Sequence, residues 1–411
     1  MWRNVARLGG GTAVGQIAVV GTTPLLTRLY PPQAFGQLGL LLAFASVALV
    51  IIGLRYDLAI ASARDESEAD ELLGVALLAC IPTSVAAGLT LLFLIHGRVL
   101  GFGALPLAAA PVITVMLFLT GCAMSLRYWN LRNQRFREVG TAAALQGVGR
   151  ALVPLALAGA TPGWWGLLAG EAAGRLLGAA RLARGAMRRL SGLGPEPLAS
   201  AARRHSRYPL VVLPSSLIDA VAVAVPLPII TELFGVAAAG QFVLVQRVAA
   251  VPASLVAASF ADAIHAEGAR QREAGTGSLR SLAAQSARTL GLIAAVVYGP
   301  LLLFAPSLFP LLFGSEWRDG GTTAAILAPF LWIGLVVSPL SRLILVSGRT
   351  ELKLLADFVC LLMPAGALLA ARDLGFSGAM AVFSAASVVA YLFYLGVIWR
   401  ATARPRLLSA G

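Results

Sequence analysis

The chain has 411 residues; 58% are hydrophobic, only 12% are charged, and the formal net charge is +13. A soluble domain carries about twice that share of charged residues, so composition excludes an ordinary soluble enzyme and points to a chain whose solvent is lipid. The basic excess raises nucleic acid as a partner, and the placement of the charges excludes it below.

Apolar runs of about 20 residues with few charges read as membrane-spanning helices. Twelve occur, at 8–29, 36–61, 72–95, 104–126, 138–160, 163–182, 208–232, 239–261, 288–313, 322–345, 352–371 and 376–399. Span 1 follows Arg3 and Arg7 and ends without a small-residue cleavage site, so it reads as a retained helix and not a cleaved signal. It carries Gln16 at mid-depth and leads into PLLTRLYPPQAFGQL from Pro24. Span 2 holds Arg55 and Asp57 near its cytoplasmic end, where the two can pair across a turn or Arg55 can snorkel to the interface. Span 5 carries Gln146 and, one turn on, Arg150. Span 6 repeats glycine every fourth residue (Gly166, Gly170, Gly174, Gly178), a flat stripe for close helix packing. Beside the stripe, Glu171 and Arg175 are four apart and share a face.

The longest basic loop follows. It divides the chain into an N-terminal six-helix lobe (1–190), a cytoplasmic linker (191–207) and a C-terminal six-helix lobe (208–411). Span 7 carries Asp219. At Pro228 the sequence returns to PIITELFGVAAAGQF, the same P-[LI]-[LI]-T-x-L-[YF]-x5-G-Q-[LF] pattern 204 residues on; the register holds without a gap for 37 residues. Span 8 carries Gln246 and Arg247, and span 11 Asp357. Six spans per copy is an even number, so the copies are parallel repeats. The expected fold is an all-α polytopic membrane protein of twelve helices, in two lobes related by a pseudo-two-fold axis along the membrane normal.

With the N-terminus cytoplasmic, 24 of the 32 basic residues, Arg127 and Arg135 among them, fall in cytoplasmic segments and four on the other side. This is the positive-inside bias, and it places both termini in the cytoplasm. It accounts for the net charge without nucleic acid. No G-x-x-x-x-G-K-[ST] loop occurs. His96, His205 and His265 are scattered, without metal-ligand spacing. Cys80, Cys122 and Cys360 all lie in spans, against a disulfide framework. No catalytic residue, cofactor or metal is expected, and the chain does not read as an enzyme.

Charges inside spans are costly, about 2.5–3.5 kcal/mol each on insertion scales, and mark functional candidates. Arg175 has Glu171 as a partner on its own helix. Arg150 and Arg247 have no acid within four residues, so their partners lie on another helix or in a ligand. Asp219 is open to a structural role against Arg247 or, like Asp57, to coupling with Na+ or H+. Gln16, Gln146 and Gln246 suit helix–helix hydrogen bonds or ligand contacts.

The run GTAVGQIAVVGTTPLLTRLYPPQAFG with RYDLAIASA resembles the start of bacterial polysaccharide-biosynthesis membrane proteins of the O-antigen flippase type. LRNQRFREVG after span 4, LFGSEWRDGG after span 9 and SPLSRLILVSGRTELKLL across spans 10 and 11 extend the resemblance in order over nearly the whole chain. That family belongs to the multidrug/oligosaccharidyl-lipid/polysaccharide (MOP) exporter superfamily. The resemblance implies two six-helix bundles around a cavity that opens to one side at a time. The implied substrate is an undecaprenyl-diphosphate-linked oligosaccharide carried to the outer leaflet of the inner membrane, for O-antigen or exopolysaccharide. Implied partners are membrane lipids, a polymerase and a chain-length regulator. Members often line the cavity with basic residues, a role open to Arg150, Arg247, Arg55 and Arg175, with Gln146, Gln246 and Gln16 beside them. Within the same fold, a drug exporter or a peptidoglycan-precursor flippase remains open, and outside it a non-transporting scaffold for polysaccharide assembly.

Overall fold

A computed structural model describes residues 2–161, 163–186, 194–273 and 278–403. The Asp219 side chain and part of the 191–207 linker lie outside the described residues. Among those described, no strand occurs, and each of the twelve predicted spans falls on helical residues. The chain divides into two compact units, Met1–Gly240 and Gln241–Gly411. Residues 208–240 thus fall in the first unit.

The first unit holds α1 (Trp2–Leu29), α2 (Pro32–Ile51), α3 (Tyr56–Ala61), α4 (Glu66–His96), α5 (Ala109–Arg132), α6 (Phe136–Leu157), α7 (Trp165–Ala183), α8 (Pro195–Arg204), α9 (Leu213–Ala224) and the start of α10 (Pro226–Glu273). The second holds the rest of α10, α11 (Leu279–Phe313), α12 (Arg318–Leu340), α13 (Arg342–Val346), α14 (Thr350–Ala370) and α15 (Gly375–Ala403). Local chemistry sets the ends. Pro32 starts α2, where a missing N–H costs nothing. Asp65 caps α4 by accepting from the Glu68 N–H, while Glu68 reaches back to the N–H of Arg64. The linker helix α8 folds onto this end, through Arg204 to Glu71 at 2.8 Å and His205 to Glu68 at 3.0 Å.

Among the described residues, eight helices are long and apolar enough to cross a membrane. Their outer faces are the reverse of a soluble protein's. On α4, Leu78, Ile81, Val85, Leu89 and Phe93 form one stripe at helical spacing, 48–72% exposed, as a lipid-facing surface requires. The chain is a multi-pass membrane protein. Helices α1, α6 and α7 are not among the eight, because glycine and buried polar residues dilute them. They also build the cavity described below.

Span 2 departs from the expected continuous helix. It breaks at Ile52–Arg55, where Gly53, Leu54 and Arg55 take φ values of 73°, 53° and 62°. The left-handed region costs a non-glycine residue about 1–2 kcal/mol, so the surrounding packing enforces this break. It also removes the turn across which Arg55 was expected to reach Asp57, and no ion pair forms between them. Spans 7 and 8 are likewise joined through α10, which bends at Gly235 (φ 84°, ψ 168°).

The sequence repeat has a physical counterpart within the first unit. Gly36 and Gly240 occupy equivalent positions of the two copies, as do Pro32 and Val236. A Cβ on Gly36 would lie 1.9 Å from the Val236 carbonyl oxygen, and one on Gly240 1.8 Å from the Pro32 oxygen. The contact is reciprocal: each copy's glycine receives the other copy's carbonyl, as in an isologous interface. The glycines persist in both copies because nothing larger fits. Gly36→Val or Gly240→Val should therefore abolish folded yield in detergent, measured by size-exclusion chromatography and thermal unfolding. Gly291→Ala, where a Cβ would meet nothing within 4 Å, should behave as wild type. Equal stability of the three variants would refute the crossing.

Candidate functional site: a basic cavity in the first unit

Helix α6 is gripped on two sides by backbone contacts that only glycine permits. Against α1, a Cβ on Gly11 would sit 1.9 Å from the Gly140 oxygen, and one on Gly147 2.2 Å from the Gly15 Cα. Against α7, Gly149 meets the Gly174 Cα at 2.8 Å, and Gly170 meets Pro154 at 2.4 Å. The predicted glycine stripe is thus the α6–α7 seam for Gly170, Gly174 and Gly178, while Gly166 faces the Tyr30 hydroxyl. That hydroxyl donates to the Pro154 carbonyl at 2.8 Å.

Between these seams and α5 lies a cavity of about 400 Å³. Its polar lining is Thr12 and Gln16 from α1, Thr120 and Arg127 from α5, Gln146 and Arg150 from α6, and Arg175 from α7. Four of the seven residues expected to bind substrate, Gln16, Gln146, Arg150 and Arg175, are thereby gathered on one wall system. Helix–helix glue was the first expectation for the glutamines, but neither Gln16 nor Gln146 makes a hydrogen bond among the described residues, so their amides are available to a cavity occupant.

Arg150 and Arg175 are held by one acid. Arg150 crosses the bare surface of Gly174, where a Cβ would lie 2.9 Å from its Cγ. It reaches Glu171, with Nε to Oε1 at 2.6 Å. The other carboxylate oxygen takes Nη2 of Arg175 at 3.4 Å, and Nη1 of Arg175 donates to the Thr120 hydroxyl at 2.8 Å. The expected Glu171–Arg175 pair is present, and the acid missing from the helix of Arg150 comes from α7. The pair does not bury Arg150, whose side chain is 34% exposed against 7% for Glu171.

The remaining candidates lie elsewhere. Arg55 is half-buried at the helix break. Asp57, 3% exposed, has no hydrogen-bond partner on either carboxylate oxygen. Gln246 is exposed and Arg247 half-buried on α10, in the second unit. That unit contains a different polar cluster, in which Asp357 pairs with Lys353 at 2.5 Å and accepts from the Tyr394 hydroxyl at 3.0 Å. Sequence reasoning missed Arg127 as a lining residue, because it was counted as loop charge. The signal was present: Thr120, Met124 and Arg127 fall at i, i+4 and i+7 on one face of a helix that runs on to Arg132.

With this geometry in view, the family can be assigned. The model of a family described as polysaccharide biosynthesis protein matches residues 25–320. The chain belongs to that family. Among curated proteins, none is a match. Solved structures share the fold of this polysaccharide biosynthesis protein over nearly its whole length. An inward-facing multidrug resistance MATE family transporter of the MOP superfamily is 17% identical, with a TM-score of 0.69 over 97% of this chain and 98% of that one. The lipid II flippase MurJ, in an inward closed conformation, is 12% identical, with a TM-score of 0.71 over 98% and 90%. A MOP superfamily transporter from Pyrococcus furiosus, described by a reversed polarity of its binding pocket, is 16% identical, with a TM-score of 0.56 over 98% and 96%. The all-α membrane fold expected from sequence is therefore shared with these transporters, and twelve helices in two lobes are consistent with it.

A wet polar cavity in a membrane protein is directly measurable. With Cys80, Cys122 and Cys360 replaced by alanine, Gln146→Cys and Thr12→Cys should react with a charged, membrane-impermeant thiol reagent applied in turn to inside-out and to right-side-out vesicles. Leu89→Cys, on the lipid-facing stripe of α4, should not. Protection of both cavity thiols would mean that the cavity is closed to water.

Proposed function

We propose that this protein is a flippase that moves an undecaprenyl-diphosphate-linked oligosaccharide, an O-antigen or exopolysaccharide repeat unit, across the inner membrane by alternating access, with both termini in the cytoplasm. The observation that carries this reading is the charge of the cavity. Three arginines (Arg127, Arg150, Arg175) stand against one carboxylate, Glu171, leaving a positive excess of two. A diphosphate esterified at both ends keeps one negative charge on each phosphate, so the excess matches it. Guanidinium groups offer forked donors suited to phosphate, and the Gln16 and Gln146 amides suit sugar hydroxyls. The lipid tail need not enter. A cationic-drug exporter would want acidic walls, which speaks against that alternative despite the shared fold. A peptidoglycan-precursor flippase would share the lipid diphosphate, but the family match favours a polysaccharide repeat unit. A scaffold needs neither a cavity nor arginines lining it.

On this reading Arg150, Arg175, Gln16 and Gln146 contact the substrate, and Arg247, Gln246 and Arg55 remain candidates for later stages of its path. A polymerase and a chain-length regulator would receive the product. Asp57 or Asp219 would couple transport to H+ or Na+. Support for Asp57 is its burial with no hydrogen bond to either carboxylate oxygen, since a buried carboxylate without such bonds is costly and takes a proton or cation readily.

In a deletion strain, surface polysaccharide should vanish and the lipid-linked repeat unit should accumulate on the cytoplasmic side. Arg150→Ala should lose a charge-assisted contact of about 1.5–3 kcal/mol, roughly ten- to a hundredfold in affinity, and should not restore export. Arg150→Lys should restore it partly, keeping the charge without the fork. Normal export by a well-expressed Arg150→Ala would contradict the assignment. For Asp57→Asn, transport in proteoliposomes should lose its dependence on an imposed ion gradient; unchanged dependence would remove Asp57 from the coupling.

A further inference from the structure

Glu171 does not line the cavity but stands behind two residues that do. One of its oxygens holds the Nε of Arg150 and the other the Nη2 of Arg175. The terminal nitrogens of Arg150 bond to no described residue, so the free edge of its guanidinium is presented to the cavity. An incoming phosphate would meet that edge while the carboxylate occupies the other. Two anions would then share one guanidinium.

We propose that Glu171 is an internal counter-anion that holds the cavity's affinity for phosphate low enough for the substrate to leave. The proposal rests on the flippase reading and concerns release at the same site. Two effects of Glu171 oppose each other, and their sizes decide the sign. Its charge repels the phosphate. Two anions on one guanidinium stand roughly 6 Å apart, where a unit charge at an effective dielectric of about 20 changes an affinity about a hundredfold. Water and salt in an open cavity screen much of this, leaving about tenfold. Its hydrogen bond also fixes Arg150, which favours binding by sparing side-chain entropy. Glutamine in its place keeps the hydrogen bond, because its amide oxygen still accepts from Nε. The amide NH2 cannot accept from Arg175 Nη2, so that long contact goes; at Arg150 only the charge is lost, and the repulsive effect is the one exposed there by that substitution.

A transporter gains nothing from indefinite tightness. Occupancy must be favourable enough for entry and weak enough for exit, as in channels. A scaffolding carboxylate, needed only to aim Arg150, would make Glu171→Gln bind substrate equally or less tightly. A counter-anion makes it bind more tightly and turn over more slowly. Opposite movement of affinity and turnover is a signature that a merely structural role does not produce.

The test uses the full chain in lipid nanodiscs, titrated with a short-chain prenyl diphosphate disaccharide, together with flipping rates in proteoliposomes. Glu171→Gln should bind the probe about tenfold more tightly than wild type and flip more slowly. Unchanged or weaker binding by a folded Glu171→Gln overturns the proposal, as does tighter binding with undiminished flipping. Should Glu171→Gln leave Arg175 too poorly compensated to fold, the double variant Glu171→Gln/Arg175→Gln removes the pair and restores the wild-type charge balance. It should bind the probe about tenfold more tightly than Arg175→Gln alone, and binding by the folded double variant that is no tighter than that single variant would equally overturn the proposal. If wild type binds and Arg150→Ala does not, while Glu171→Gln is unchanged, only this inference fails. If wild type does not bind the probe at all, the flippase reading fails with it.

Discussion

The polar interior of the first unit depends on how closely α6 approaches its neighbours. Gly11, Gly15 and Gly147 on one side, and Gly149, Gly170 and Gly174 on the other, let backbones meet where a Cβ would overlap. In lipid there is little hydrophobic drive between helices, so close van der Waals contact along small residues supplies the association. This spacing lets an arginine on α6 reach a carboxylate on α7 across the bare surface of Gly174. Larger residues would hold the helices apart, and Arg150 would face hydrocarbon without a counter-charge. Packing and electrostatics are therefore one arrangement here: the glycines set the distance, and the Arg150–Glu171–Arg175 bridge uses it.

The same arrangement explains why charge survives at this depth. An isolated guanidinium in hydrocarbon is expensive, and a buried ion pair recovers only part of its desolvation. A carboxylate shared between two arginines leaves a net positive charge that a wet cavity can solvate until an anion arrives. Stability and binding thus pull in different directions at Glu171. The Asp57 carboxylate, in the same unit but at a helix break enforced by three left-handed residues, is a second place where the fold retains a costly group.

Much of the fold was legible in the sequence because membrane helices announce themselves by hydropathy, and because a crossing of equivalent glycines requires the glycine in both copies. Gly36 and Gly240 appear in the repeat for the reason that they touch each other's copy in the structure. The bridge was half legible: Glu171 and Arg175 are four apart, but Arg150 and Glu171 are 21 apart, and nothing local relates them. The break after Ile51 was not legible, since glycine within an apolar span usually means packing. Arg127 was misplaced because a helix continuing past the bilayer edge looks, by composition, like a loop. Hydropathy was weakest for α1, α6 and α7, where the cavity-facing residues are polar. A sequence reading of such proteins is least sure where the site is, and for that physical reason.

On the proposed function, this chain carries a lipid-linked anionic oligosaccharide from one leaflet to the other. The most direct measurement reconstitutes the purified protein in liposomes containing a labelled undecaprenyl-diphosphate oligosaccharide and follows its exposure to an impermeant glycan-cleaving enzyme added outside. With wild-type protein, cleavage should run past the outer-leaflet pool and approach completion, while protein-free vesicles stop at about half, because a charged diphosphate does not cross hydrocarbon unaided. Cleavage that stops at the same level in both would contradict the account.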